Sequence, residues 1–289
     1  MTVRVAAIVG ATGVGKTKVS LAVAPQLDAE IVSVDSMQIY RGLDIGTAKP
    51  SAPMRAAVPH HLIDLCDPSH EMSVAEFQEL GRGAIAEVTA RSRRPLLVGG
   101  SGLYFRAVVD DLRFPPRSVQ VRQQLESEIE AQGAEAVYER LAKLDPRAAA
   151  KIDPMNARRI ARALEVIEVT GRPFSESDAW EKFGSIYDLR VAGLTLTREK
   201  LFGHLGARVD AMLDDGLIEE ARALQGAGMG SSAGQALGYR QILEAPAGRS
   251  HDQIRDDILA ATKRFARRQE SWFRSDPRVV WFDAGEPDV

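Results

Sequence analysis

Eight residues near the start of the chain, Gly10-Ala-Thr-Gly-Val-Gly-Lys-Thr17, restrict its fold more than any other segment. The β-rich run Val3–Val9 leads into them and a helix-like stretch, Lys16–Leu27, leads out, which is the context a phosphate-binding loop requires. In such a loop the backbone of Gly10, Ala11, Thr12, Gly13, Val14 and Gly15 turns its N–H groups inward. There they meet an anion at a helix N-terminus that carries partial positive charge. Lys16 adds a compact positive charge, and Thr17 offers a hydroxyl to a magnesium ion. The motif specifies phosphate and not ATP. In a hydrolysing NTPase a later strand usually ends in an acidic residue that helps hold the metal. Here Pro95-Leu-Leu-Val-Gly-Gly100 ends in glycines, which weighs against an NTPase and leaves a small-molecule kinase open.

The pattern beyond the loop predicts an α/β protein. Glu30–Val34 is a second strand ending in the polar pair Asp35–Ser36. Val74–Ala90 carries apolar residues at helical spacing, and Pro95–Val98 is a strand closed by Gly99–Gly100. Strands alternating with helices at this pitch predict a parallel, doubly wound sheet, whose ligands sit beyond the carboxyl ends of its strands. Gly10, Asp35 and Gly99–Ser101 all follow strand ends and are expected to converge on one cleft. After Phe114-Pro-Pro116 the pattern changes to helical periodicity alone, from Val119 to Thr170, and Gly171-Arg-Pro173 ends the last helix. Arg190–Leu196 is again a strand. Two or three helices follow, then a long basic helix, Asp252–Phe273, and a last strand, Val279–Phe282. The expected organisation is a P-loop-type parallel sheet flanked by helices. Its discontinuous core spans residues 1–115 and 186–289, with an all-helical insertion domain over 116–185.

Composition narrows the setting. The 289 residues suffice for one large or two modest domains. The single cysteine, Cys66, excludes an internal disulfide and fits a reducing compartment. No apolar run approaches the roughly 18 residues of a membrane span. The N-terminus reads as a buried strand and not a leader, so a cytoplasmic location is expected. A net charge of -3 gives no global sign of nucleic-acid binding, so any such surface has to be a local patch. Two patches qualify: Arg158, Arg159 and Arg162, and then Lys263, Arg264, Arg267 and Arg268, both at helical spacing. Either alone reads equally well as a solvated charged face. Two on a chain of this charge favour an RNA surface.

The stretch after the second strand is Asp35-Ser-Met-Gln-Ile-Tyr-Arg-Gly-Leu-Asp-Ile-Gly-Thr-Ala-Lys-Pro50. Together with the phosphate loop it resembles the bacterial tRNA dimethylallyltransferases (tRNA isopentenyltransferases). The resemblance continues in order through Val58-Pro-His-His-Leu-Ile-Asp64, Val98-Gly-Gly-Ser-Gly-Leu-Tyr104, the segment Asp153–Val166, Leu237-Gly-Tyr-Arg240 and Lys263–Phe273. It implies a P-loop core, a helical insertion and magnesium, with dimethylallyl diphosphate as donor and a tRNA anticodon stem-loop as acceptor. The dimethylallyl group would pass to N6 of the adenine 3′ of the anticodon (position 37), releasing diphosphate. By motif position, Gly10–Thr17 would hold the diphosphate, with Lys16 assisting catalysis. Asp35 would be the catalytic base, and Asp35, Ser36, Met37 and Gln38 would surround the adenine. Ser101 and Arg122 would contact the RNA or the reacting groups, and Arg158, Arg159 and Arg162 would meet the stem-loop. Ser101 stands where the family usually has threonine, keeping the hydroxyl, and Arg158 where a member often has glutamine. The chain is expected to act as a monomer.

The chemistry of such a transfer suits these residue types. An adenine amino group is a poor nucleophile, so attack on an allylic carbon needs a base for the departing proton, which Asp35 can supply. It also needs stabilisation of the leaving diphosphate, by Lys16, Thr17, magnesium and the loop N–H groups. The target base has to leave its stack, which a single-stranded loop makes easier. Asp35 could instead be a helix N-cap or an outer ligand of magnesium. His60 and His61 would point to opposite faces of a strand, and a structural role is expected for both. Glu76, Glu79 and Glu87 read as the solvated face of a helix. Tyr104 and Phe105 read as core, with an isoprenoid lining as the alternative, and Trp272–Phe273 as packing at a helix end. A transferase acting on free AMP or ATP is disfavoured by the Ile152–Val166 block and the basic C-terminal helix. An RNA-binding module with a vestigial loop is disfavoured by the joint presence of Lys16, Thr17 and Asp35.

Overall fold

The computed structural model describes residues 2–177 and 183–285, so residues 178–182 of the expected insertion lie outside the described residues. β1 (Arg4–Gly10) runs into the phosphate loop, which delivers the chain to α1 (Lys16–Gln26). Gly13 and Gly15 adopt φ of 80° and 100°, left-handed values that disfavour any residue with a Cβ. A Cβ on Gly13 would also lie 2.6 Å from the Leu205 side chain. β2 (Ala29–Ser33), α2 (Ala52–Ala57), β3 (His60–His61), α3 (Val74–Ala90), β4 (Arg94–Gly99) and α4 (Gly102–Val109) follow. Next come α5 (Val119–Gln132), α6 (Ala134–Leu144), α7 (Pro146–Ala149) and α8 (Ala157–Thr170). The chain then returns through β5 (Asp188–Thr195), α9 (Arg198–Asp214), α10 (Leu217–Gly226), α11 (Tyr239–Leu243), α12 (His251–Arg274) and β6 (Val279–Asp283).

The six strands form one sheet in the order β3-β2-β4-β1-β5-β6, and every pairing is parallel. Its side chains alternate between two cores. Val5, Ala7 and Val9 of β1, with Val32 and Leu97, pack against Phe77 of α3, Phe105 of α4 and Phe273 of α12. Ile8, Ile31 and Leu96 face the other way, against Val19 and Leu21 of α1. Helices thus cover both faces, the arrangement that buried parallel strands require. Phe105 and Phe273 are fully buried, with ring centroids 6.0 Å apart, which places them in the core. Glu76 does more than face solvent: it forms a capping box with Ser73 at the start of α3 and pairs with His70. His60 and His61 find separate partners, the Val58 carbonyl at 2.7 Å and Glu30 at 2.6 Å. Among the described residues no helix is long and apolar enough to cross a membrane.

The chain divides into two compact units, Met1–Asp111 with Gly184–Val289, and Leu112–Phe183. The expected boundaries were 115/116 and 185/186; the observed division falls slightly earlier at both. The second unit packs α5, α6 and α8 around Leu125, Val137, Leu141, Ile160 and Leu164. Its central polar feature is Glu165, whose side chain is 1% exposed. The Glu165 carboxylate accepts hydrogen bonds from the Ser118 N–H at 2.9 Å, Arg122 at 2.7 Å and Arg162 at 3.0 Å. Burial alone would push this carboxyl up, but the Ser118 N–H and the two guanidinium groups outweigh it and hold it below the usual range. Arg162 also donates to the Pro115 and Pro116 carbonyls, and Arg122 to the Arg158 carbonyl. Two of the four arginines assigned to RNA therefore hold the unit together, whereas Arg158 and Arg159 are exposed. Gly171, at φ 66°, ends α8 as its position after Thr170 predicts. Replacing Glu165 by Ala should destabilise this unit by about 3 kcal/mol, the scale for removing one partner of a buried ion pair. Thermal melts of the full chain followed by hydrogen exchange over 112–177 check this; unchanged protection there would contradict it.

Candidate active site

The carboxyl ends of β1, β4 and β2, adjacent in the sheet, build the site. Beyond β2 the chain turns on Asp35, whose Oδ1 accepts the Met37 N–H at 2.9 Å. This is an Asx turn and not the cap of a helix, since no helix starts there. Among the described residues no hydrogen bond uses Asp35 Oδ2. Ser33 Oγ lies 3.1 Å from Gln38 Oε1, and Gln38 Nε2 donates to the Thr47 carbonyl at 3.2 Å, which folds the chain back over the strand end. Beyond β4, Ser101 occupies the N-cap position of α4 without a side-chain capping bond, so capping does not consume its hydroxyl.

Lys16 folds over the phosphate loop, donating to the Gly10 and Ala11 carbonyls at 3.0 and 2.8 Å. Burial pushes its ammonium down to about 8, partly opposed by the Asp35 carboxylate and reinforced by the Arg208 guanidinium. Burial likewise lowers Arg208, and the Asp35 charge opposes it. The Asp35 charge thus acts on both cations. Two cavities meet at Asp35. A small one, about 50 Å³, is bordered by Lys16, Thr17, Ser20, Ser33, Asp35 and His60. A large one, about 860 Å³, is bordered by Thr12, Asp35, Ser36, Met37, Ser101, Arg208, Arg264 and Arg268.

The loops that carry these residues are pinned from below. Lys49, 3% exposed, binds the Tyr40 carbonyl, Asp44 and Asp64, so the segment 40–49 closes on itself. Glu220 of α10 accepts the Ile45 N–H at 3.1 Å and the hydroxyl of Tyr239, and that hydroxyl in turn receives the Gly46 N–H at 3.1 Å. Tyr239 is fully buried; burial, and then the adjacent Glu220, raise its hydroxyl, so it stays a donor. Tyr239 of the Leu237–Arg240 motif is accounted for by this clamp, while Leu237 and Arg240 border the large cavity.

Of the residues expected from the sequence, Asp35, Ser36, Met37 and Ser101 share the large cavity with Thr12, while Gln38, Lys16 and Thr17 border the small one. Arg122, Arg158, Arg159 and Arg162 belong to the helical unit. Sequence reasoning did not single out Arg208, on α9, although its charge acts on both Lys16 and Asp35. A lone arginine 173 positions beyond Asp35 carries no local signal.

A family model described as "IPP transferase" matches residues 38–276, and one described as "Isopentenyl transferase" matches residues 3–61. The chain belongs to the tRNA dimethylallyltransferase (IPP transferase) family. Among its IPP transferase relatives, the tRNA dimethylallyltransferase of Streptomyces coelicolor is 49% identical over 288 residues, covering 99% of this chain and 92% of that protein. The crystal structure of the full-length tRNA isopentenylpyrophosphate transferase from Bacillus halodurans is 42% identical, with a TM-score of 0.71, and the match covers 97% of this chain and 90% of that one. A eukaryotic dimethylallyltransferase solved acting on tRNA is 27% identical, with a TM-score of 0.82, covering 98% of this chain and 74% of that one.

With the phosphate loop as an anion site, the lowered Lys16 predicts proton uptake when inorganic diphosphate is added to the protein. Near pH 8 about half of the free Lys16 side chains are neutral. A bound anion favours the charged form, so affinity should fall as pH rises through 8. Calorimetry at pH 8 in buffers of different ionisation enthalpy should show more protons taken up by the native protein than by Lys16→Met. Equal uptake by the two proteins would contradict the assignment.

Proposed function

We propose that this chain transfers the dimethylallyl group of dimethylallyl diphosphate to N6 of the adenine 3′ of the anticodon, position 37, in tRNA. One observation carries the reading: Asp35 borders both the small cavity at Lys16 and Thr17 and the large one. A carboxylate so placed stands between an anion site and a space within the range that holds small ligands, roughly 300–1,000 Å³. The names of the relatives point to the same donor and acceptor. A monomer is the state proposed.

In this reading Lys16 and the loop N–H groups other than that of Thr12, which Gln269 accepts, bind the diphosphate, with Arg208 adding positive charge. The adenine enters the large cavity, its amino group toward Asp35. The N6 lone pair forms the bond to the allylic carbon as the carbon–oxygen bond breaks, and that electron pair leaves on the diphosphate. The N6 proton passes to Asp35. Lys16 and the loop stabilise the charge that grows on the departing oxygen. Met37, Val209, Met212, Ala236 and Ile258 give the large cavity an apolar wall suited to an isoprenoid tail.

No group of three or more His, Cys, Asp or Glu among the described residues could hold a metal alone. Magnesium nevertheless fits, because it is usually bound by one or two protein oxygens together with substrate phosphates. The Thr17 hydroxyl borders the small cavity and would hold the ion together with donor phosphate oxygens, leaving the Asp35 carboxylate free to act as base. When bound there it would offset charge on the leaving diphosphate.

Asp35→Asn keeps the shape and the Asx-turn acceptor and removes the proton acceptor. Single-turnover transfer to a tRNA anticodon stem-loop should slow by about 10²–10⁴-fold, the usual contribution of a general base. Affinities for tRNA and donor should change by less than about tenfold. Near-native single-turnover chemistry in Asp35→Asn would remove Asp35 from the mechanism.

A further inference from the structure

Gln269 lies on α12, 257 residues along the chain from Thr12, and is 8% exposed. Its carboxamide is satisfied on both sides. Oε1 accepts the Thr12 N–H of the phosphate loop at 2.8 Å, and Nε2 donates to the Gly100 carbonyl beyond β4 at 2.8 Å. A backbone donor on one side and a backbone acceptor on the other fix the orientation of the amide. The fit is close: a Cβ on Gly100 would lie 2.3 Å from Nε2. A carboxylate would accept from Thr12 but meet the Gly100 carbonyl oxygen with like charge. An apolar side chain would leave two enclosed backbone groups unpaired.

We infer that Gln269 is a positioning residue of the donor site, which fixes the phosphate loop and the Ser101 loop to α12 before substrate arrives. The inference rests on the reading of that loop as the diphosphate site. It has two physical consequences. The Thr12 N–H is held by the protein, so the curvature of the loop is set by a side chain and not by the anion. Pre-setting the loop lowers the ordering cost of binding. The same helix turns Arg264, Phe265 and Arg268 toward the large cavity, within five residues of Gln269. The helix that borders the acceptor space therefore also carries the side chain that holds the phosphate loop.

The test uses the full chain and inorganic diphosphate as probe, so it does not depend on turnover. Gln269→Met preserves side-chain length and removes both hydrogen bonds. Gln269→Glu keeps the bond from Thr12 and places a negative charge beside the loop. In calorimetry with magnesium present, Gln269→Met should weaken diphosphate binding about tenfold, equivalent to 1.4 kcal/mol, and Gln269→Glu should weaken it further. Filter-binding affinity for tRNA should stay within about threefold of native in both. Native diphosphate affinity in either folded variant would overturn the inference, as would parallel losses of diphosphate and tRNA affinity, which mark general destabilisation. Should Gln269→Met not fold, Gln269→Glu decides. Failure of the native protein to bind diphosphate at all would instead overturn the underlying reading of the loop.

Discussion

All six strands of the sheet run in one direction, so the sheet has a single carboxyl edge, and the chemistry of the molecule hangs from loops leaving it. Neighbouring strands lie about 4.8 Å apart. The order β2-β4-β1 therefore brings the ends of three consecutive neighbours within roughly 10 Å of one another. Those ends carry Asp35, Ser101 and the phosphate loop. An antiparallel arrangement would send alternate loops to opposite edges and separate the base from the anion site. Strand direction, fixed by crossover helices on both faces, is what makes a two-substrate reaction geometrically possible here.

Direction alone does not give a loop a shape. Each functional loop is held by a polar side chain set into the structure, Lys49 from within its own segment and the others from far along the sequence. Lys49 closes the segment after Asp35, Glu220 and Tyr239 grip its next turn, and Gln269 ties the phosphate loop to the end of β4. Leaving such groups unpaired in the interior would cost about 1–3 kcal/mol each, so these anchors tolerate little substitution. The sixteen-residue block beginning at Asp35 is distinctive for this reason as well as for its chemistry. Ile39, Tyr40 and Leu43 are core, and Lys49 is a structural cation.

What the sequence disclosed follows from the range of the forces involved. β1, β2, β4 and α3 were legible because apolar periodicity and capping are local, and the phosphate loop because its glycines answer to local backbone geometry. β3 is only two residues long and exists through its pairing with Ile31 and Val32, which no local pattern announces. The convergence of Asp35 and Ser101 was legible from strand polarity, whereas Arg208 and Gln269 reach the site from helices far along the chain. Gln269 did leave a trace, an amide among the buried positions of α12. Arg162 left another: Glu165 lies one helical turn on, within an apolar stripe, a spacing that signals an ion pair as readily as an RNA contact.

The central claim is that the anion on the phosphate loop is the leaving group of an alkyl transfer to an adenine beside the anticodon. The most direct measurement incubates the protein with isotopically labelled dimethylallyl diphosphate, magnesium and unmodified tRNA, then digests the RNA and identifies the labelled nucleoside by mass spectrometry. The account predicts label in N6-dimethylallyladenosine from position 37, with one diphosphate released per transfer. Label absent from the RNA, or found on any other nucleoside or position, would contradict it.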